Sequence, residues 1–278
     1  TEINVALLYI QQEGQGIPVL LIHGGPGGTS HTFHPFFGNF ADSCHLIYYD
    51  QRGCGLSEFT GNKTYTLRKA VEDIEAIRQA LNIDKWYVLG YSYGGVLAQL
   101  YTLRYPERLL GVILVDAEIP CLQHYISAGN EYKYITKAEK EQIFKHWDNI
   151  DKGLVDEPTG LFNADLNGAW KRQRFYKPSP DYMTQTALYE WRSDKSFRKR
   201  IHNDLYDLDL SNCFKECPVP FLIVEGKYDR TWGKEKILIL NNEFPKASIQ
   251  YIDQAAHTPF QSNPESFFWV FNKFLKYK

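Results

Sequence analysis

No stretch of this chain stays apolar for long. Val19 to Ile22 and Leu110 to Val115 are among the longest such runs, far short of the roughly 18–20 residues that a membrane-spanning helix needs. No membrane partner is therefore expected. No signal-peptide pattern opens the chain, and Thr1 stands where an initiator Met would, as trimming would leave it. Charge of one sign is also scarce. Lys and Arg number 31 against 33 Asp and Glu, for a formal net charge of −2, so nothing calls for nucleic acid or another polyanion. Cysteines are few and odd in number, five in all: Cys44, Cys54, Cys121, Cys213 and Cys217. They show no disulfide-framework spacing. Cys213 and Cys217 have no second ligand pair at zinc spacing, so no metal or other cofactor is expected. Reduced thiols and a cytoplasmic location follow. Internal repeats and low-complexity segments are lacking too.

What is present is enough apolar material for a full central-sheet domain and an insertion: 44% of 278 residues are hydrophobic. Ile3 to Ile10 reads as a strand, with Gln12 to Gly16 as the turn of a first hairpin. Short all-apolar runs follow at Pro18 to Ile22, Cys44 to Tyr49, Trp86 to Leu89, Leu110 to Val115 and Phe221 to Glu225, and Ala247 to Ile252 reads as a last strand. Such runs suit strands buried on both faces. Helical spacing separates them at Leu67 to Leu81, Val96 to Arg104, Lys234 to Phe244 and Ser266 to Lys276. The expected class is α/β, a mostly parallel sheet with helices on both faces. Between about Pro120 and Cys217 the pattern turns polar and aromatic, with helical spacing at Lys137 to Trp147 and Tyr182 to Arg192. We read core residues 1–119 and 218–278, with 120–217 as an inserted helical cap.

Gly90-Tyr91-Ser92-Tyr93-Gly94 lies between a buried strand and a helix. This is the G-x-S-x-G elbow in its strand–turn–helix setting, in which small residues two before and two after let a strained serine project above the sheet. A serine hydroxyl is a poor nucleophile until a base takes its proton. His257, a few residues past the last strand, is the best-placed histidine for that base. Asp229, just past Phe221 to Glu225, is placed to orient it, giving the order serine, acid, histidine. Asp116, one strand earlier, is the rival acid. His23-Gly24-Gly25-Pro26-Gly27 follows another buried strand, and its backbone can approach a substrate closely. Gly25 and Tyr93 are therefore the candidate oxyanion-hole donors through their main-chain N–H groups.

Together these residues resemble the α/β-hydrolase superfamily. The pairing of His23-Gly-Gly-Pro-Gly27 with Asp50-Gln-Arg-Gly-Cys-Gly-Leu-Ser57 is similar to its proline iminopeptidase group. The resemblance implies an α/β-hydrolase fold, a Ser92–Asp229–His257 triad and no cofactor. It also implies that Asp50 and Arg52 brace loops behind the oxyanion hole, and that the substrate is a short peptide or amino-acid amide with a free N-terminus. The runner-up is a carboxylesterase or other small-molecule acyl hydrolase; a non-catalytic binding protein on the same fold is more remote. The chain departs from the group in the cap, where the acidic segment that holds a substrate ammonium has no clear counterpart. Lys227 stands just before Tyr228-Asp229, where it would repel an ammonium. Glu118, Glu190, Asp204, Asp207 and Glu225 are the acidic candidates left. Trp147, Trp170, Tyr189, Trp191 and Tyr206 are aromatics for either a substrate pocket or the cap's own core, and the basic run Trp170 to Arg174 reads as a solvated face.

Overall fold

Apolar runs too short for helices and flanked by turn residues become strands, because burial on both faces offsets the cost of ordering them. The computed structural model describes residues 2–4, 6–118, 136–156, 176, 192–229 and 235–276. Its strands are β1 (Glu2–Ile3), β2 (Ala6–Leu7), β3 (Ile10–Glu13), β4 (Ile17–Ile22), β5 (Cys44–Tyr49), β6 (Trp86–Tyr91), β7 (Leu109–Val115), β8 (Phe221–Gly226) and β9 (Ser248–Ile252). Seven of them form one sheet in the order β3-β5-β4-β6-β7-β8-β9. Every neighbouring pair is parallel except β3 with β5.

The N-terminus departs from the expected single strand and hairpin. Asn4, at φ +48°, turns the chain between β1 and β2, which pair with each other as a small antiparallel ribbon. Asparagine tolerates this left-handed conformation better than most residues. β3 then lies on β5 and not on β4. The Gly14–Gly16 turn docks on the segment leading into β5, with Gln15 N–H donating to Ala41 O at 3.1 Å and Ile17 N–H to Ser43 O at 3.2 Å.

Side chains alternate across a strand, so the sheet feeds two cores. On one face Leu20, Ile22, Val88, Leu114 and Ile223 pack with α1 (Leu67–Ala80), α2 (Tyr93–Arg104) and α5 (Glu235–Glu243). On the other, Leu21, Leu89, Ile113 and Val224 meet an aromatic cluster of Phe33, Phe37, Phe260, Phe267 and Phe271, drawn from α6 (Pro259–Ser262), α7 (Pro264–Lys276) and the 3₁₀ turns near residues 30–40. Thr66 caps α1 by accepting the Lys69 N–H at 3.1 Å.

Of the expected cap, α3 (Lys137–Asp151) contains the predicted helix Lys137 to Trp147, and α4 (Phe197–Tyr206) is a helix not foreseen. Arg198 of α4 stacks over Trp147 of α3 at 3.8 Å. The segment entering α4 is fastened to the core: Gly55 N–H donates to Arg192 O at 2.7 Å and Asp194 N–H to Gly53 O at 2.8 Å. The expected helix at Tyr182 lies outside the described residues, apart from Arg192. So do Cys121, Trp170 to Arg174, Tyr189, Glu190 and Trp191. The four described cysteines are free.

The chain runs from β4 outward to β5, then returns to place β6 on β4's other side and continues away through β9. The direction of winding therefore reverses between β4 and β6. Open α/β sheets form their ligand crevice at the carboxyl ends of the strands at such a point. His23-Gly24-Gly25 and Ser92 are the residues found there.

Candidate active site

Between β6 and α2, Ser92 has φ 52° and ψ −123°. A residue with a Cβ holds such a conformation at a cost of about 1–3 kcal/mol, so its surroundings must enforce it. They do so by close backbone packing. A Cβ on Gly90 would lie 2.5 Å from Gly94 O, and one on Gly94 would lie 2.2 Å from Ile22 O. Ser92 N–H donates to Val115 O at 3.0 Å, and its carbonyl accepts the Gly95 N–H at 2.9 Å. Tyr93 is the first residue of α2, where a helix's N–H groups lack intrahelical acceptors and its dipole favours negative charge.

His257 and Asp229 come to this serine from two other strand ends. Ser92 Oγ lies 3.0 Å from His257 Nε2, and His257 Nδ1 lies 2.9 Å from Asp229 Oδ2. The His257 and Asp229 side chains are only 11% and 5% exposed. A neutral imidazole protonated on Nδ1 donates to the carboxylate and accepts the serine proton at Nε2. The turn carrying Asp229 is pinned through its backbone: Asp229 N–H donates to Gly226 O at 3.0 Å and Tyr228 N–H to Ala255 O at 2.8 Å. Tyr91 packs on the imidazole, ring centroids 5.4 Å apart.

Asp116, the rival acid, lies close by, with ligating atoms of Asp116, Asp229 and His257 all within 4.8 Å of one another. It is fully buried, and its Oδ1 accepts the Gly226 N–H at 3.0 Å. Asp229 is the carboxylate in hydrogen-bond contact with His257. The same three side chains make a poor cation site, because both imidazole nitrogens are already engaged.

The glycine loop after β4 sits against the elbow: a Cβ on Gly24 would come within 3.0 Å of the Ser92 Cβ. Gly25 has φ +131°, a conformation that only glycine adopts freely. Beneath it His23 is fully buried. Its Nε2 accepts the Gln51 N–H at 3.0 Å, while Nδ1 faces Gly24 O at 3.0 Å and donates to it in that tautomer. Burial pulls its pKa down despite the nearby Asp50, keeping the ring neutral. Asp50 accepts from Ser30 N–H and Leu56 N–H, each at 2.8 Å. Arg52 grips Asp73 with two nitrogens, at 2.9 and 2.7 Å. Both therefore tie loops together, away from the Ser92 hydroxyl.

The acidic candidates separate clearly. Glu225 is buried and faces Lys236 Nζ at 2.7 Å. Asp204 pairs with Arg200 at 3.0 Å and accepts the Leu67 N–H at 3.1 Å, while Asp207 is exposed. Glu118 follows the elbow's neighbour strand and donates its N–H to Ser92 O at 3.3 Å. Lys227 is half exposed and leans toward Asp253 at 3.9 Å, so its charge is directed to solvent. Tyr206 is also exposed. Lys236 carries no signal of its own in the sequence: a lone lysine early in a helix reads as a solvated charge, and only a buried partner on another element reveals otherwise.

A family model described as alpha/beta hydrolase fold matches residues 17–264. The chain is 26% identical to a proline iminopeptidase of Heyndrickxia coagulans, covering 98% of this chain and 95% of that protein. It is 29% identical to a proline iminopeptidase of Neisseria gonorrhoeae, covering 91% and 87%. Among solved structures it is similar to an esterase from Exiguobacterium antarcticum, with TM-score 0.79, 22% identity and coverage of 99% and 98%.

Proposed function

The chain belongs to the α/β-hydrolase fold family, and on that premise we propose that it is a serine hydrolase in which Ser92 is the nucleophile, His257 the general base and Asp229 the orienting acid. The observation that carries this reading is the continuous hydrogen-bond chain from Ser92 Oγ through His257 to Asp229. Ser92 Oγ attacks the acyl carbon as its proton passes to His257 Nε2. The carbonyl oxygen takes up the negative charge beside the Gly25 and Tyr93 N–H groups, and Asp229 stabilises the imidazolium. Collapse breaks the bond to the leaving amine or alcohol, which takes the proton from His257. Water then attacks the acyl-enzyme, giving a proton to His257, and the acid leaves as Ser92 regains its hydrogen. In this proposal residues 1–119 and 218–278 are the catalytic core, and 120–217 form a cap that covers it.

The substrate class we favour is a short peptide or amino-acid amide with a free N-terminus, cleaved as by a proline iminopeptidase. Similarity to proline iminopeptidases over nearly the whole chain supports it. The outward course of Lys227 removes the charge that counted against a substrate ammonium. An esterase reading is favoured by one point: Glu225 is engaged by Lys236, and Asp204 by Arg200 and Leu67, leaving neither to pair with an amine.

Turnover of a prolyl amide, its N-blocked analogue and a short acyl ester decides between them. The aminopeptidase reading predicts that blocking the amine lowers kcat/KM by about 100-fold or more, the consequence of leaving a buried charged subsite unpaired. Equal turnover of blocked and free amides, or turnover of the ester alone, contradicts it. Asp229→Asn is expected to lower kcat by about 10⁴-fold, as removal of the orienting acid does in serine proteases.

A further inference from the structure

Behind the triad lies a second set of ionisable groups that acyl transfer does not use. Asp116 directly follows β7, at φ +39°, and is completely buried. Glu225 of β8 is 6% exposed and Lys236 of α5 is 2% exposed. Each carboxyl has one oxygen satisfied: Asp116 Oδ1 accepts the Gly226 N–H at 3.0 Å, and Glu225 Oε2 faces Lys236 Nζ at 2.7 Å. Their other oxygens, Asp116 Oδ2 and Glu225 Oε1, are buried and have no donor among the described residues. Two acceptors without a donor are an unfavourable arrangement for buried carboxylates. One proton between them would satisfy both, and Asp116 is bound to β8 on either side of Glu225: its N–H donates to Val224 O at 2.9 Å and its Oδ1 accepts the Gly226 N–H at 3.0 Å.

Charge counting leads to the same place. Asp116 faces Glu225 on β8, Asp229 beyond β8, Lys236 on α5 and His257 beyond β9, and the Tyr251 phenol of β9 lies within the field of Glu225. Three carboxyls thus crowd one permanent cation. Like charges at this separation in a buried site do not all ionise.

We propose that Asp116 and Glu225 share one proton, and that Asp116 is thereby a neutral positioning residue that pins the Asp229-bearing turn at Gly226 without placing a third negative charge beside His257. Lys236 balances the charge left on the pair, and Asp229 keeps the charge that the imidazolium needs. The turn is held in series: Asp116 accepts from Gly226 N–H, and Gly226 O accepts from Asp229 N–H. Burial, together with the charges of Glu225 and Asp229, pushes the Asp116 carboxyl well above the usual range. Burial, only partly offset by Lys236, raises Glu225 to about 7. The positioning role rests on Asp229 being the triad acid; the shared proton does not.

The test is an infrared comparison of the wild type and Asp116→Asn, both with carboxyl-labelled aspartate, at slightly alkaline pH, together with kinetics of Asp116→Ala and Asp116→Asn. The wild type is expected to show the carbonyl stretch of a protonated aspartic acid, which Asp116→Asn lacks. Asp116→Ala removes the acceptor for Gly226 and is expected to lower kcat about tenfold or more with little change in KM. Asp116→Asn keeps an acceptor for Gly226 and a donor for Glu225, and restores most of that loss. A wild-type spectrum without the protonated-aspartate band overturns the proposal. So does an Asp116→Asn variant that fails to restore kcat and whose acidic limb of kcat/KM falls by about one pH unit, the mark of a lost negative charge near the base. If Asp116→Ala does not fold, the infrared pair and the Asp116→Asn limb decide. Full activity in Asp229→Asn would contradict the triad assignment, while the infrared band would still report on the shared proton.

Discussion

Ser92 is held in its conformation by neighbours that have no side chain to yield. A Cβ on Gly94 would meet Ile22 O at 2.2 Å and His23 O at 2.7 Å, both backbone atoms, at the end of β4 and the start of the glycine loop that follows it. Gly94→Ala is therefore expected to cost about 2–4 kcal/mol in denaturant unfolding and to slow any reaction at Ser92. An unchanged unfolding midpoint would show that the elbow has slack. The meeting of Ser92, His257 and Asp229 is legible in the sequence because each follows a run of apolar residues that ends at the same edge of the sheet. Lys236 is not, since its burial depends on Glu225, a residue on a different element. The choice between Asp229 and Asp116 was open for the same kind of reason: both lie at strand ends, and only distance to His257 Nδ1 separates them.

Elements carry the site by fastening loops to one another. Arg52 and Asp73 join the loop after β5 to α1 with side chains 5% and 2% exposed, so removing one partner strands a buried charge. Arg52→Ala is expected to destabilise the fold by about 3–5 kcal/mol, read as a shift in the chemical-unfolding midpoint. Replacing both residues by apolar ones of similar volume should cost much less. The central strands were legible because full burial makes them uniformly apolar, and helices α1, α2 and α7 because their apolar spacing or their place beside the elbow announced them. The pairing of the first strands is not legible. The polar strand β3 offers no periodic signal that distinguishes pairing with β4 from pairing with β5, and that choice is made by the docking of the Gly14–Gly16 turn. Helix α4 is not legible because only Phe197, Ile201 and Leu205 of its residues are buried, a single narrow stripe within a polar segment.

At the scale of the whole molecule, the buried acids Asp116 and Glu225 are expected to couple stability to pH. Glu225 rises from its ordinary 4.5 to about 7, through burial first, and Asp116 is raised further. The native state therefore holds protons that the unfolded chain has released. The contribution is fully present below about 4.5, the ordinary value of Glu225, and is lost as pH rises through about 7 and beyond. Stability should accordingly decline from mildly acidic to alkaline pH, and Asp116→Asn should flatten that decline. A decline equally steep in the variant would place its origin elsewhere. Among the described residues no helix is long and apolar enough to cross a membrane. The two cores and the mostly parallel sheet bring four segments, from β4, β6, β8 and β9, to one edge, an arrangement expected to make Ser92 nucleophilic. Intact-mass analysis after treatment with a serine-reactive phosphonate reads that reactivity at the residue itself. One adduct per wild-type chain, mapped to Ser92, and none on Ser92→Ala is the expected result; an unlabelled wild type, or equal labelling of the variant, rules out a nucleophilic Ser92.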